Sequence, residues 1–213
     1  NTSWLAEICV APTWRRKGVG RLLVDQINQR FGKTALYCDA LLENVEFFKA
    51  TGIKPKIKLN ACRRYPGKNG PDASEPTQAA FHDDPRRCKA ADFVEVSNSV
   101  GFSISVREMR HNDVFQKFFC EGVYGSFAED MNGRLVGFVR AFCDGLTKCY
   151  LAEVCVHPDW QRKGVGRSLV ARMIRRFPTA TVYTEAFPDA IRMMESCGVV
   201  LYPGLVGCSR API

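Results

Sequence analysis

The chain has 213 residues, 46% hydrophobic, 24% charged and 11% aromatic, which is enough apolar material for a packed core and excludes a disordered or fibrous sequence. No apolar run reaches the length of a membrane span and no signal-peptide pattern opens the chain, although a first residue of Asn1 rather than Met points to a segment upstream. The net charge of +8 lies entirely in residues 1–68, with 13 Lys/Arg against 5 Asp/Glu, while residues 69–213 balance at 17 of each.

In chain order, Trp4 to Val10 is strand-like and Pro12 lies in the loop that follows. Gly18-Val19-Gly20 opens a helix in which Val19, Leu22, Leu23, Ile27 and Phe31 fall at helical spacing. Ala35 to Cys38 is a second strand. Glu43 to Thr51 is a helix with Gly52 as its C-terminal cap, and Ile57 to Cys62 is a last strand. The alternating Lys54, Lys56 and Lys58 fit edge protection of that strand, or else docking of this basic half to an acidic protein, anionic lipid or RNA.

Residues 66–92 are rich in Pro, Gly, Asn, Asp, Ser and Ala and carry no apolar periodicity, so they read as a linker. Beyond it, Phe102 to Arg107 alternates like a strand, Asp113 to Gly122 reads as a short helix, and Gly125 to Asp130 extends again. Asn132-Gly133 is a hairpin turn into Leu135 to Phe142, and Asp144-Gly145 is a second turn before Cys149 to Val156. A glycine turn and helix come next, then strand Thr181 to Thr184, helix Pro188 to Ser196, and an extended tail from Val199.

Leu5 to Phe31 recurs as Leu151 to Phe177, 146 positions later, with 17 of 27 residues identical. A repeat at this spacing means two copies of one folding unit. The copies are unequal, because the hairpin-rich front half precedes only the second. This division predicts half a domain over residues 1–65, a linker over 66–92 and a whole domain over 93–213. Half a sheet leaves an unpaired edge, so strands upstream, a second chain or the second unit are expected to complete the first copy.

The ten cysteines form no Cys-x-x-Cys pair, and three histidines complete no zinc pattern, so the cysteines read as small buried hydrophobes of an intracellular, reducing compartment. Chemistry gathers at the duplicated turns Arg15-Arg16-Lys17-Gly18-Val19-Gly20 and Gln161-Arg162-Lys163-Gly164-Val165-Gly166. Consecutive N–H groups there face one concavity, the helix adds its positive end, and glycine admits a close phosphate. The alternative is a tight strand-to-helix turn alone. The Gly-Lys-Ser/Thr of a Walker loop and the third glycine of a dinucleotide fingerprint are both missing.

Both segments resemble motif A of the GNAT superfamily of N-acetyltransferases, Q/R-x-x-G-x-G/A after the fourth strand. Gly133 to Ala141, Asp144-Gly145 and Val156 to Gln161 extend the resemblance through the second copy. The resemblance implies an α/β fold with a mixed sheet, the acyl-CoA N-acyltransferase (GNAT) fold. It also implies acetyl-CoA as cofactor and an amine acceptor attacking the thioester directly. Carried over by position, the cofactor contacts are Val154, Cys155 and Val156 with Gln161, Arg162, Lys163, Gly164, Val165, Gly166 and Arg167. In the first copy they are Ile8 to Val10 with Arg15, Arg16, Lys17, Gly18, Val19, Gly20 and Arg21. Glu153 and Glu7 stand where relatives place a base, or are carboxylates paired to a neighbouring arginine; His157 is a lesser candidate or a turn cap. The tyrosine that protonates the leaving thiolate in relatives is replaced by Phe48 and Met194. A non-catalytic scaffold or acyl-CoA-binding subunit is therefore the alternative to an enzyme.

Overall fold

The computed structural model describes residues 2–67, 71, 74–102, 109 and 112–213. Along the chain the regular elements are β1 (Thr2–Trp4), α1 (Val19–Arg30), β2 (Ala35–Leu41), α2 (Val45–Ala50), β3 (Lys54–Pro55), β4 (Asn60–Arg64) and β5 (Ala80–His82). There follow α3 (Ala90–Ser99), α4 (Asn112–Lys117), β6 (Val123–Glu129), β7 (Leu135–Cys143), β8 (Lys148–Val156), α5 (Val165–Arg176), β9 (Thr181–Ala186), α6 (Ile191–Ser196), β10 (Val200–Leu201) and β11 (Leu205–Arg210). The fold is a mixed α/β fold. Most of the strand expected over Phe102 to Arg107 lies outside the described residues.

Two compact units form, both discontinuous in sequence. One comprises Asn1–Ala61, Glu185–Pro188 and Leu201–Ile213; the other comprises Cys62–Thr184 and Asp189–Val200. The first contains a four-stranded sheet of order β1-β2-β11-β3, in which β1 and β2 are parallel and β11 is antiparallel to both its neighbours. The C-terminal tail thus supplies an inner strand, which local sequence pattern cannot reveal. Its counterpart 146 positions earlier, β4, lies between β10 and β9 in the seven-stranded sheet β10-β4-β9-β8-β7-β6-β5.

In the second unit α5 packs its apolar stripe, Val165, Leu169, Val170, Met173 and Ile174, onto the sheet, and each residue is at most 1% exposed. Gly137 on β7 allows the close approach, since a Cβ there would lie 3.2 Å from Val165 and 3.3 Å from Leu169. A cluster built around Phe93, Phe115, Phe127 and Phe138 fills the core beneath α3, with Phe93 stacked on Phe138 at 4.3 Å.

The same stripe in the first unit is largely uncovered. Leu22, Leu23 and Phe31 are 65%, 42% and 40% exposed, where their counterparts Ser168, Leu169 and Phe177 are 1%, 0% and 8% exposed. Only Val24 of α1 is buried. The cause is the sheet: among the described residues of the first unit nothing corresponds to β6 and β7. For the same reason Ala6 to Val10, read as strand, joins no ladder after Leu5 N–H bonds Tyr37 O at 2.8 Å.

The stretch read as a linker contains β5, which pairs antiparallel with β6, and a 3-10 turn over Pro85–Arg87. Three residues are too few for periodicity to show, so the strand was invisible in the sequence. Arg172 also holds this stretch through Glu75 at 2.7 Å and Asp83 at 3.1 Å. Of the alternating lysines, Lys54 lies on the edge strand β3, whereas Lys56 is spent inside the unit, ion-paired to Glu185 and 4.1 Å above the Tyr37 ring. All ten cysteines are free thiols, and only Cys9 and Cys120 are exposed.

Candidate functional site

In the second unit β8 is parallel to β9 only as far as Leu151 opposite Thr184, where the Thr184 hydroxyl donates to Leu151 O at 3.0 Å. Its antiparallel ladder with β7 runs on to Val156 opposite Gly137. From Ala152 to Val156 the strand is therefore paired in a ladder on one side only. The register slips between Arg140–Glu153 and Ala141–Leu151, leaving Ala152 as the extra residue of a bulge. Such a bulge bends a strand and re-aims the side chains beside it.

The turn after β8 is rigidly tied. His157 caps a 3-10 turn over Pro158–Trp160 by accepting from Asp159 N–H at 3.3 Å, which is the turn-capping role. Gln161 Nε2 donates to Val156 O at 3.0 Å. Arg162 has φ +57° and Gly164 φ +87°, so the backbone enters the left-handed region twice within three residues before α5 begins. A non-glycine residue there costs about 1–2 kcal/mol and marks stored strain. Among the described residues no carbonyl accepts in good geometry from the N–H groups of Lys163, Gly164, Val165 and Gly166. Arg162, Lys163 and Arg167 are exposed, Val165 is buried under the helix, and Lys163 stands 5.2 Å over Trp160. N–H groups left without such partners at the start of a helix are the kind of donor set that can receive an anion.

The first copy reproduces the turn. Arg15 Nε donates to Val10 O at 3.1 Å, Arg16 has φ +60° and Gly18 φ +82°, and Lys17 stands 5.1 Å over Trp14. Arg21 pairs loosely with Asp25 at 3.9 Å. At the second glycine of each turn there is little room: a Cβ on Gly20 would lie 3.3 Å from Phe47, and one on Gly166 3.5 Å from Val156. The strands differ. Ile8 and Val10 are half-buried and Cys9 is exposed, whereas Val154 and Val156 are half-buried and Cys155 belongs to the aromatic core.

The two candidate bases also differ. Glu153 accepts from Arg140 Nε at 2.5 Å and Arg140 Nη2 at 2.7 Å, so both carboxylate oxygens are engaged by one guanidinium. The Arg140 side chain is 5% exposed and also lies against the rings of Phe118 and Phe142. Glu7 is exposed, and among the described residues of its unit no strand corresponds to β7. Sequence reasoning missed Arg140, yet a signal was present: it is the one charged residue in Leu135–Cys143. Phe48 and Met194 are both buried, 5% and 4% exposed, and neither can donate a proton.

The profile of the Acetyltransferase (GNAT) family matches residues 91–199. An uncharacterised N-acetyltransferase, ycf52, of Pyropia yezoensis is 31% identical over 78 residues, covering 35% of this chain and 45% of that protein. GCN5-related N-acetyltransferase 3, chloroplastic, of Arabidopsis thaliana is 38% identical over 71 residues, covering 32% and 30%. The chain thus spans less than half the length of these relatives. Among solved structures, a tandem GNAT protein from the clavulanic acid biosynthesis pathway has a TM-score of 0.59 at 16% identity, covering 98% of this chain and 74% of its own. A GCN5-related N-acetyltransferase of Sphaerobacter thermophilus has a TM-score of 0.54 at 16% identity, covering 94% and 70%. At such identity these two show likeness of fold. No helix among the described residues is long and apolar enough to cross a membrane. With the family profile matched over half its length, the chain belongs to the GNAT family of acetyltransferases.

Proposed function

We propose that the second unit binds acetyl-CoA and transfers its acetyl group to an amine by direct attack. The observation that carries this reading is the strand, turn and helix together: a one-sided β8 edge from Ala152 to Val156 leads into four unspent N–H groups at Lys163 to Gly166. These residues fit the cofactor. The N–H groups would hold the diphosphate, Arg162, Lys163 and Arg167 would add charge, and the free β8 edge would pair with the amide groups of the pantetheine arm. Acetyl-CoA, when bound, supplies the acetyl group as a thioester open to an amine nucleophile.

Glu153 lies on this stretch of β8 and would draw the proton from the incoming ammonium, through water. Arg140, bonded to both carboxylate oxygens, would fix its direction. The first unit carries the same turn, with Ile8 to Val10 and Arg15 to Arg21 as a second cradle; lacking the β7 counterpart, it is assigned binding rather than turnover. The basic first half would dock an acidic partner or RNA through its remaining exposed cations.

A second reading, an acyl-CoA-binding subunit without turnover, is favoured by two observations: Phe48 and Met194 offer no acid, and Glu153 is locked in an ion pair. Calorimetry with acetyl-CoA, followed by thiol release over a panel of small and peptide amines, separates the two. Turnover abolished by Glu153→Gln supports the enzyme; binding without turnover on any amine supports the subunit. If acetyl-CoA does not bind, both are rejected.

A further inference from the structure

Three buried side chains outside the glycine turns and β8 converge beside the antiparallel β5–β6 pair. His82 is the last residue of β5, Glu129 the last of β6, and Cys88 follows the 3-10 turn that leads into α3. His82 lies opposite Phe127, so Glu129, two residues along, falls on the same face as the imidazole. A ring stack of 5.4 Å between His82 and Phe127 fixes that direction. The His82 Nε2 to Glu129 Oε1 distance is 2.9 Å, and Arg87 Nη2 donates to the other oxygen at 3.1 Å. The turn that places Cys88 is itself pinned, with Asp84 accepting from Arg86 N–H and Cys88 N–H bonding Pro85 O at 3.1 Å.

We propose that His82, Cys88 and Glu129 form a binding site for a divalent metal ion of the zinc type. One ligand atom from each lies within 4.8 Å of the other two, and all three side chains are at least nine-tenths buried. Tetrahedral zinc, with N and O ligands at about 2.0–2.2 Å and S at about 2.3 Å, needs donors roughly 3.3–3.7 Å apart, within reach of small side-chain rotations here. The mixed imidazole, thiolate and carboxylate set suits zinc rather than magnesium or calcium, which take oxygen.

An ion pair of His82 with Glu129 accounts for one contact but leaves His82 Nδ1 buried without a partner among the described residues. It also gives no role to the adjacent thiol. A cysteine nucleophile activated by the histidine would need its thiol proton on an imidazole nitrogen, but Nε2 faces Glu129 and Nδ1 has no partner among the described residues. Binding a metal would release that proton to solvent and leave the thiolate as ligand. The role would be structural: the ion would clamp β5 and the entry to α3 onto β6, in the stretch that looks like linker.

The test uses the reduced, metal-free full chain titrated with cobalt(II) as a spectroscopic probe. The site predicts a near-ultraviolet thiolate-to-cobalt charge-transfer band saturating at one equivalent, and a thermal midpoint that rises with added zinc. Cys88→Ser abolishes the band, Glu129→Gln weakens cobalt binding by about tenfold or more, and Cys120→Ser, at an exposed thiol, leaves both unchanged. Should Cys88→Ser fail to fold, the wild-type band and Glu129→Gln decide. No band together with no zinc-dependent rise in midpoint overturns the proposal, as does a band that survives in Cys88→Ser.

Discussion

Arg140 grips both oxygens of Glu153 across the β7–β8 ladder, at 2.5 and 2.7 Å, next to the bulge that leaves Ala152 unpaired. The arginine is buried and the carboxylate is 23% exposed, so one end of the pair is sealed in the core while the other is partly open to solvent. The pair would therefore serve both stability and the proposed proton transfer, two roles that substitution separates.

Arg140→Met removes a buried charge and takes from Glu153 the guanidinium that engages both its oxygens. We expect a loss of about 2–4 kcal/mol in urea unfolding, whereas Glu153→Gln, which keeps a hydrogen-bonding partner for the guanidinium, loses less. On activity the order reverses: Glu153→Gln abolishes amine acetylation while leaving acetyl-CoA affinity within a few-fold of wild type. Equal losses in both assays for both variants would reduce the pair to a packing device.

Asp39 gives the first unit a pH dependence. Both its carboxylate oxygens are buried without a partner among the described residues, and burial, then Glu185, pushes the carboxyl up to about 7 against the pull of Lys56. A carboxyl raised in this way binds its proton more tightly folded than unfolded. Stability is therefore lost as pH rises from about 4 through about 7 and is level above. Asp39→Asn should stabilise the chain at pH 8 on the order of 2–4 kcal/mol and change little near pH 4. Denaturant unfolding across that range checks it, and an equal effect at both ends would contradict it.

Equivalent leucines in the two helices should have unequal worth. Leu169→Ala empties a fully buried position and should cost about 2–5 kcal/mol. Leu23→Ala, at a position 42% exposed, should cost less than about 1 kcal/mol. Matched denaturation curves of the two variants test whether α1 lacks the cover that α5 has.

The elements carried by the repeat were legible because periodicity and glycine placement agree there. The Gly18 and Gly164 helix starts fall where expected. Gly52 and Gly198 close α2 and α6 with paired hydrogen bonds, Ile53 N–H to Phe48 O and Val199 N–H to Met194 O, each at 3.0 Å. What was not legible is non-local. The pairing of β11 with β2, Cys208 opposite Cys38, joins residues 170 apart in a chain whose tail reads only as extended. Arg140 is hard to read from sequence because one charge inside an apolar strand looks like an exception until its partner on β8 is seen. The strand Ala80–His82 hides in a Pro- and Ala-rich stretch and is defined by its neighbour alone.

Gly164 separates the two functions of the duplicated turn. At φ +87° a side chain is strained, with about 1–2 kcal/mol expected against folding, and its Cβ would lie 3.8 Å from Pro76 Cγ, so a branched one would also crowd that proline. Gly164→Val should weaken acetyl-CoA binding roughly tenfold or more, equivalent to about 1.4 kcal/mol. Gly18→Val should leave binding to the second unit unchanged. Calorimetry on the two variants distinguishes a cradle from a mere chain reversal.

Amide hydrogen exchange of the full chain with and without acetyl-CoA addresses the cradle most directly, because it reads the N–H groups themselves. The account predicts slowed exchange at Lys163 to Gly166 and along Ala152 to Val156, with β6 unchanged. Exchange at those amides that does not respond to saturating acetyl-CoA would contradict it.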